Sequence, residues 1–353
     1  MFSPRVLSIQ SHIVSGYCGN KAATFPLQLL GFDVDVMNTV SFSNHTGYPS
    51  WTGEKATGEQ LAKLFDGLEA NGLVEYTHIL TGYIGSAQNL TAVTDIISQL
   101  KAQSNPFFVL DPVMGDNGQL YVQPDVIPIY RELMKFASAI TPNQFEAEVL
   151  ADKKITDVKS CLEVIEILHN TGVEHVVLTS VALSPRDIAE HTARSPAATN
   201  GYHIGSQESE RADDESMLYC ICSSKVDQDV KVHAIGFPTY DGYFTGTGDL
   251  FSALLVARLD EAIQEKAHSH ATGHEANTQL GPLARACVKV VATMKAVVLR
   301  TYRAQKGATA AALDQAQASS SAVIRRCELR LIQSKADIEH PDEDGVAAVA
   351  LRV

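Results

Sequence analysis

The run Phe244-Thr245-Gly246-Thr247-Gly248-Asp249-Leu250-Phe251 places two glycines and a carboxylate where an amphipathic helix begins. Backbone N–H groups at a helix start attract anions, and the dipole end there is positive. Glycine lets a phosphate approach that backbone closely. A carboxylate in the first turn can take a proton from a nucleophile held beside the phosphate. These are the groups that phosphoryl transfer to a hydroxyl requires. The same residues also suit a purely structural helix start, with Thr247 as N-cap and Asp249 as a first-turn acid. Their meaning therefore depends on what else the chain carries.

Further polar clusters follow apolar runs that read as strands, and in open α/β sheets ligands sit beyond the carboxyl ends of the strands. Ser8-Ile9-Gln10-Ser11-His12 follows the first run, and Ser11 can donate to a small polar ligand or serve a turn. Phe42-Ser43-Asn44-His45-Thr46-Gly47-Tyr48 is polar and aromatic together, as a lid over a planar ligand is, or an ordinary turn-rich loop. Asp111-Pro112-Val113-Met114-Gly115-Asp116 carries two carboxylates around a Pro/Gly turn. Both can face one site, and Mg²⁺ favours one or two carboxylates with phosphate oxygens and waters. Thr141-Pro142-Asn143-Gln144-Phe145-Glu146 has capping-box spacing, which fixes a helix start and leaves the same groups able to reach a metal–nucleotide complex through water. Thr179-Ser180 offers hydroxyls to phosphate or a cation. There is no G-x-x-x-x-G-K-[ST] loop, and Phe251 stands where a dinucleotide fingerprint needs its last glycine.

The elements that must position these groups alternate between short apolar runs and helical runs. Strands are expected at Val6–Ile9, Val34–Asn38, Thr77–Thr81, Phe107–Leu110, Ala139–Thr141 and Val176–Thr179, with Met217–Ser223 and Lys231–Ile235 strand-like. Helices are expected over Asn20–Leu30, Gly58–Ala70, Ala87–Gln103, Ile127–Phe136, Gln144–Leu150, Val158–His169, Leu250–Ile263 and Leu283–Tyr302. Continuous apolar strands between helices predict an α/β fold with a mostly parallel sheet covered on both faces. One elaborated domain over 1–353 is expected. Segments 184–215 and 265–279 read as polar inserted loops, the latter carrying His268, His270 and His274, and 304–322 as an Ala/Gln/Ser-rich connector. The tail Cys327–Ile338 regains an apolar rhythm and should pack back on the body.

Composition narrows the partners. The 353 residues are 45% hydrophobic, enough for a large core, and the net charge is -13 with only 28 Lys+Arg. That balance argues against nucleic acid or an anionic membrane and leaves room for a small anion such as ATP. No run is long and apolar enough for a membrane span. Met1–Val6 lacks the character of a signal peptide, and the 6 cysteines are scattered, so reduced thiols in a cytoplasmic protein are expected.

Together the segments Val6–His12, Gly19–Gln28, Phe42–Tyr48, Leu80–Tyr83, Asp111–Asp116, Thr141–Glu148 and Gly246–Phe251, with the tail Glu328–Lys335, resemble the pyridoxal kinases of the ribokinase-like superfamily. The resemblance spans about Val6–Ser180 and Met217–Ile338. It implies a three-layer α/β/α fold and ATP-dependent phosphorylation of the 5′-hydroxymethyl group of pyridoxal, pyridoxine and pyridoxamine. Asp249 then matches the catalytic aspartate, and the amides of Gly246, Thr247 and Gly248 the anion hole. Ser11, Thr46, Val40, His45, Tyr83 and Tyr121 match the pocket for the pyridine ring. Asn143, Ser180, Thr247 and Tyr240-Asp241-Gly242 match ATP contacts. Asp111, Asp116 and Glu146 match positions around Mg²⁺ or another divalent ion and the phosphates. Thr141 and Thr179 match a monovalent-cation and phosphate site, with K⁺ or Na⁺ as the cation. The resemblance also implies a homodimer. A hydroxymethylpyrimidine kinase is the neighbouring alternative, against which the Ser43–Tyr48 block argues. A catalytically weak binding protein is a further one, against which the intact Asp249, Asp111 and Asp116 argue.

Overall fold

A computed structural model describes residues 3–193, 217–226, 229–272, 280–312 and 320–353. The chain opens with β1 (Arg5–Ile13), α1 (Asn20–Leu29), β2 (Asp33–Phe42), β3 (Gly53–Lys55), α2 (Gly58–Ala70), β4 (His78–Thr81) and α3 (Ala87–Gln103). It continues through β5 (Phe107–Leu110), a small hairpin of β6 (Gly115–Asp116) and β7 (Gln119–Leu120), then α4 (Val126–Leu133), β8 (Ala139–Ile140), α5 (Gln144–Ala151) and α6 (Val158–His169). The second half holds β9 (His175–Val181), α7 (Pro185–His191), β10 (Met217–Val226), β11 (Asp229–Pro238), α8 (Thr247–Thr272), α9 (Pro282–Ala312), α10 (Ser320–Arg326), α11 (Lys335–Glu339) and β12 (Ala348–Leu351).

One sheet runs β12-β11-β10-β9-β8-β5-β4-β1-β2-β3. Its centre, from β2 to β9, is parallel, and antiparallel strands close both sides. Alternate residues of the central strands serve two cores. Leu7 and Ile9 of β1, with Phe108 and Leu110 of β5, face the layer of α2 to α6. Val6 and Val109 face the opposite layer, where α1 and α8 pack. Both faces are dry, so the strands read as unbroken apolar runs. This is the three-layer α/β/α architecture expected from the alternation.

The chain leaves β1 to β2 on one side and reaches β4 on the other, so the sheet order reverses beside β1. A crevice forms at the carboxyl ends there. β1 is longer than its apolar run suggested and reaches Ile13, so Ser11 lies within it. The pairing register with β2 slips between Gln10↔Asn38 and His12↔Ser41, leaving Thr39 and Val40 opposite Ser11 alone. Such a bulge interrupts the ladder and re-aims a side chain at a site. The polar spacing of these residues carries no sign that pairing resumes. β9 likewise continues past Thr179 to Val181, because β10 pairs against it as far as Tyr219↔Val181.

The polar segments of the second half also differ from their sequence reading. α8 continues through residues 265–272, and α9 through 304–312, so these stretches extend helices rather than forming a loop and a connector. Alanine-rich composition favours helix continuation even without a buried stripe. α7 occupies the start of the first inserted segment, and the Ala193 amide donates to the Ala350 carbonyl of β12 at 2.9 Å. The remainder of that segment and His274 lie outside the described residues. The tail does pack back, burying Leu329, Leu331 and Ile338.

Burial sets one stability prediction. His175 of β9 is 7% exposed, and desolvation, followed by the nearby His169, pulls its pKa down to about 4. The exposed Glu174 carboxylate at 3.5 Å does not offset this. The unfolded chain takes up a proton near pH 6.5 that the folded chain refuses until about pH 4. Stability from this side chain is therefore full above pH 6.5 and drains away between 6.5 and 4, by about 3 kcal/mol. Chemical denaturation at pH 7.5 and 4.5 should show a smaller acid loss in His175→Leu than in the wild type. Equal losses would remove His175 as a cause.

Candidate active site

Three strand-end segments and the start of α8 converge on Asp249. The Leu250 amide donates to the Gly246 carbonyl at 3.0 Å, so Gly246 caps the helix and Thr247 is its first residue. The threonine is thus not the N-cap that its type suggested. Gly246 has φ +83°, and a Cβ there would stand 2.0 Å from the Tyr17 carbonyl oxygen. Only glycine permits this turn, which leaves the amides at the mouth of α8 open to an anion.

Asp249 accepts a hydrogen bond on Oδ2 from the Gly19 amide at 2.7 Å. Burial raises its pKa, and the Gly19 N–H opposes that rise. Gly19 sits at φ +54°, with its Cβ position 2.4 Å from Ser11 Oγ, so Ser11, Gly19 and Asp249 occupy one corner of the crevice. That corner is fixed by a buried polar chain. Ser8 Oγ donates to Asn20 Oδ1 at 2.7 Å, and Asn20 Nδ2 donates to Asn38 Oδ1 at 2.8 Å, tying the start of α1 to β1 and β2.

Asp111, 4% exposed, follows β5. It accepts from Ser252 Oγ at 3.0 Å, and Ser252 Oγ lies 2.8 Å from Thr141 Oγ1. Its pKa is pushed well up, first by burial, then by the Glu146 and Asp249 charges, with the Ser252 hydroxyl opposing. A Cβ on Gly248 would stand 3.8 Å from Asp111 Oδ2, so this carboxylate borders the helix mouth. Glu146 accepts from the amides of Met114 at 2.9 Å, Gly115 at 3.4 Å and Asn143 at 3.0 Å, and Asn143 Oδ1 caps the Glu146 amide in return. Burial raises the Glu146 pKa to about 7 despite these donors.

Asp116 is the exception to the expected pairing of carboxylates. It is exposed at the end of β6, accepting from the Asn117 amide at 2.7 Å, while Asp111 is buried. The two acids therefore differ in exposure, although the Asp116 charge still reaches Glu146. Among the described residues no three His, Cys, Asp or Glu side chains are grouped to hold a metal ion. The hard oxygen donors present suit a cation that takes one or two carboxylates and completes its shell with phosphate and water.

Thr179 and Ser180 are half-buried in β9, and the Thr179 amide donates to the Pro142 carbonyl at 3.0 Å, placing them beside Thr141 and Asn143. Val40 packs with Ile13, Cys18 and Phe42, and Tyr83 covers that patch. Thr46 is exposed at the tip of its loop and Tyr121 is 62% exposed. The buried His45 stacks at 4.7 Å on Tyr48 and at 6.3 Å on Tyr243. Tyr240 stacks on Tyr302 of α9 at 5.0 Å, and Gln305 donates to the Tyr243 carbonyl at 2.8 Å, so the Tyr240–Gly242 turn rests on the far part of α9. A cavity of about 400 Å³ lined by Pro4, Phe32 and Arg258 opens at the amino ends of the strands and shares no residue with this cluster. The convergence of polar groups marks the site better than that hollow does.

Sequence reasoning missed Gly19, Ser252, Tyr243 and the role of Glu328, whose carboxylate meets Tyr17 and Tyr48 across most of the chain. Ser252 was findable, since it lies one helical turn beyond Asp249. The others carry no local signal.

The family described as phosphomethylpyrimidine kinase matches residues 50–215. The chain is 41% identical over 346 residues to the pyridoxal kinase of Bos taurus, covering 96% of both proteins. It is 40% identical to that of Arabidopsis thaliana over 340 residues, covering 96% of this chain and 92% of the relative. The structure of the Leishmania donovani pyridoxal kinase with ADP and pyridoxamine superposes with a TM-score of 0.73 at 31% identity, over 99% of each chain.

Proposed function

The chain belongs to the pyridoxal kinase family, and from that membership and the corner around Asp249 we infer how it works. It transfers the γ-phosphoryl group of ATP to the 5′-hydroxymethyl oxygen of pyridoxal and related vitamers. Asp249 carries the chemistry. Its Oδ2 is held by the Gly19 amide, which leaves Oδ1 to receive the hydroxyl proton as the substrate oxygen bonds to phosphorus and the bond to the departing ADP oxygen breaks. The raised Asp249 pKa makes the carboxylate a stronger base than a free one. The amides of Gly246, Thr247 and Gly248 hold charge that develops on the phosphoryl oxygens. Ser11 and the His45, Val40 and Tyr83 surface receive the pyridine ring, and Thr46 and Tyr121 close over it. Asn143, Thr179, Ser180 and the Tyr240–Gly242 turn flank the nucleotide. The enzyme is proposed to work as a cytoplasmic homodimer, as the family resemblance implies.

A divalent ion fits this donor set. Asp111, Glu146 and Asp116 would hold it together with the phosphates, and once bound it would neutralise phosphate charge. Thr141 and Thr179 are assigned to a monovalent cation. The crowding of buried acids gives a test that needs no turnover. In metal-free protein Glu146 titrates near 7 instead of 4.5, so its contribution is fully present below pH 4.5 and is lost as pH rises through 7. A cation at these acids restores stability where they are ionised. Mg²⁺ should therefore raise Tm by about 2 °C or more at pH 8, and by less than half of that at pH 5.5. An equal shift at both pH values would remove these acids as its site.

The acceptor is tested by kcat/KM across a panel. Pyridoxal should exceed hydroxymethylpyrimidine by roughly 10²-fold or more, since a site built for a substrate's polar groups rejects an analogue that leaves them unpaired. The opposite order would place the chain with the pyrimidine kinases.

A further inference from the structure

Glu328 comes from the C-terminal tail, more than 300 positions from the turn it touches, and is 9% exposed. Its Oε2 accepts from the Tyr17 amide at 3.0 Å, and its Oε1 accepts from Tyr48 Oη at 3.1 Å. His45 Nε2 lies 3.3 Å from the same Oε1. The Gly47 amide donates to His45 Nδ1 at 3.1 Å, so the ring proton sits on Nε2 and points at Glu328. One carboxylate thus takes donors from two separate loops. It is also pressed against Gly16, whose Cβ position would stand 2.5 Å from Oε1 and whose φ is +102°.

The carboxylate stands on a fixed post. Leu329 and Leu331 on either side of Arg330 are buried, and the Arg330 amide donates to Thr301 Oγ1 of α9 at 3.1 Å. The turn it grips leads straight to the chemistry. The Tyr17 carbonyl packs on Gly246, and Gly19 holds Asp249. The loop it grips carries the His45 face. Burial and the Glu328 charge raise the Tyr48 pKa to about 12, so its hydroxyl keeps its proton for Glu328 well into the alkaline range.

We propose that Glu328 is a positioning residue that clamps the Phe42–Tyr48 loop to the Gly16–Gly19 turn at the acceptor end of the site, setting affinity for the pyridine alcohol and not for ATP. The proposal rests on the pyridoxal kinase reading above. A carboxylate accepting from both loops cannot be replaced by an amide, whose nitrogen is a donor facing donors.

The test is steady-state kinetics with pyridoxal and ATP varied separately, on the wild type, Glu328→Gln, Tyr48→Phe and the double variant. Glu328→Gln should raise the pyridoxal KM roughly tenfold or more, with kcat within about threefold and the ATP KM within about twofold. Tyr48→Phe removes one donor from a half-buried position and should raise the pyridoxal KM roughly two- to tenfold. It carries the test alone if Glu328→Gln does not fold. The double variant should be no worse than Glu328→Gln, since both act on one contact. An unchanged pyridoxal KM, an equal rise for ATP, or fully multiplicative effects would overturn the clamp. A folded wild type without turnover defeats the family reading instead, and the two failures are separate.

Discussion

Asp249→Asn should lower kcat by roughly 10²–10⁴ while leaving both KM values close to the wild type. The substitution is nearly isosteric. The asparagine oxygen can still accept from the Gly19 amide that now meets Oδ2, so the Ser11–Gly19 corner keeps its shape. What disappears is the oxygen that takes the proton. The loss is then chemical rather than structural, and a Tm near that of the wild type would confirm that separation. Steady-state assay with saturating ATP, Mg²⁺ and pyridoxal gives the number. A variant retaining near-native kcat would take the proton away from this carboxylate, and the anion hole alone would have to account for catalysis.

Gly246→Ala should cost about as much by a different route. Its backbone stands at φ +83°, and a methyl group would be driven to 2.0 Å from the Tyr17 carbonyl. Neither the turn nor the carbonyl can yield without moving the amides that follow, and losing one well-aimed donor to a transition-state oxyanion costs roughly 10²–10³ in kcat. A fall of at least about 10²-fold is expected. Gly281→Ala is the matched control, because a Cβ there meets nothing within 4 Å. It should leave kcat unchanged. Equal effects in the two variants would mean that the Gly246 turn has no special duty.

The parallel sheet was legible because buried strands must be apolar on both faces, and those runs cannot be mistaken for solvated loops. The candidate base and capping-box acids were legible because each sits within a few residues of a recognisable helix start. The limits are equally physical. Thr39 and Val40 of β2 form a bulge opposite the single Ser11, and a register slip leaves no mark on either strand's own pattern. Asp111 and Asp116 stand five positions apart around a Pro/Gly turn, yet Asp111 is buried at the end of β5 and Asp116 is exposed where the β6–β7 hairpin starts. The polar 265–279 and the Ala/Gln/Ser-rich 304–322 carry no apolar stripe and so read as a loop and a connector, yet α8 runs on to 272 and α9 to 312 as continuations of packed helices. Glu328 stands in the tail that carries the resemblance, but its role was not legible, since its partners Tyr17, His45 and Tyr48 lie at the other end of the chain.

As proposed, Asp249 drives phosphoryl transfer onto the hydroxymethyl oxygen of a pyridine alcohol. Phosphorus NMR of a reaction of folded wild-type protein with ATP, Mg²⁺ and pyridoxal, run beside Asp249→Asn, tests it most directly. The wild type should give one phosphate ester on the 5′ oxygen for each ADP formed, and the variant should give almost none in the same time. ADP and free phosphate without ester from the wild type, or equal ester from both proteins, would contradict it.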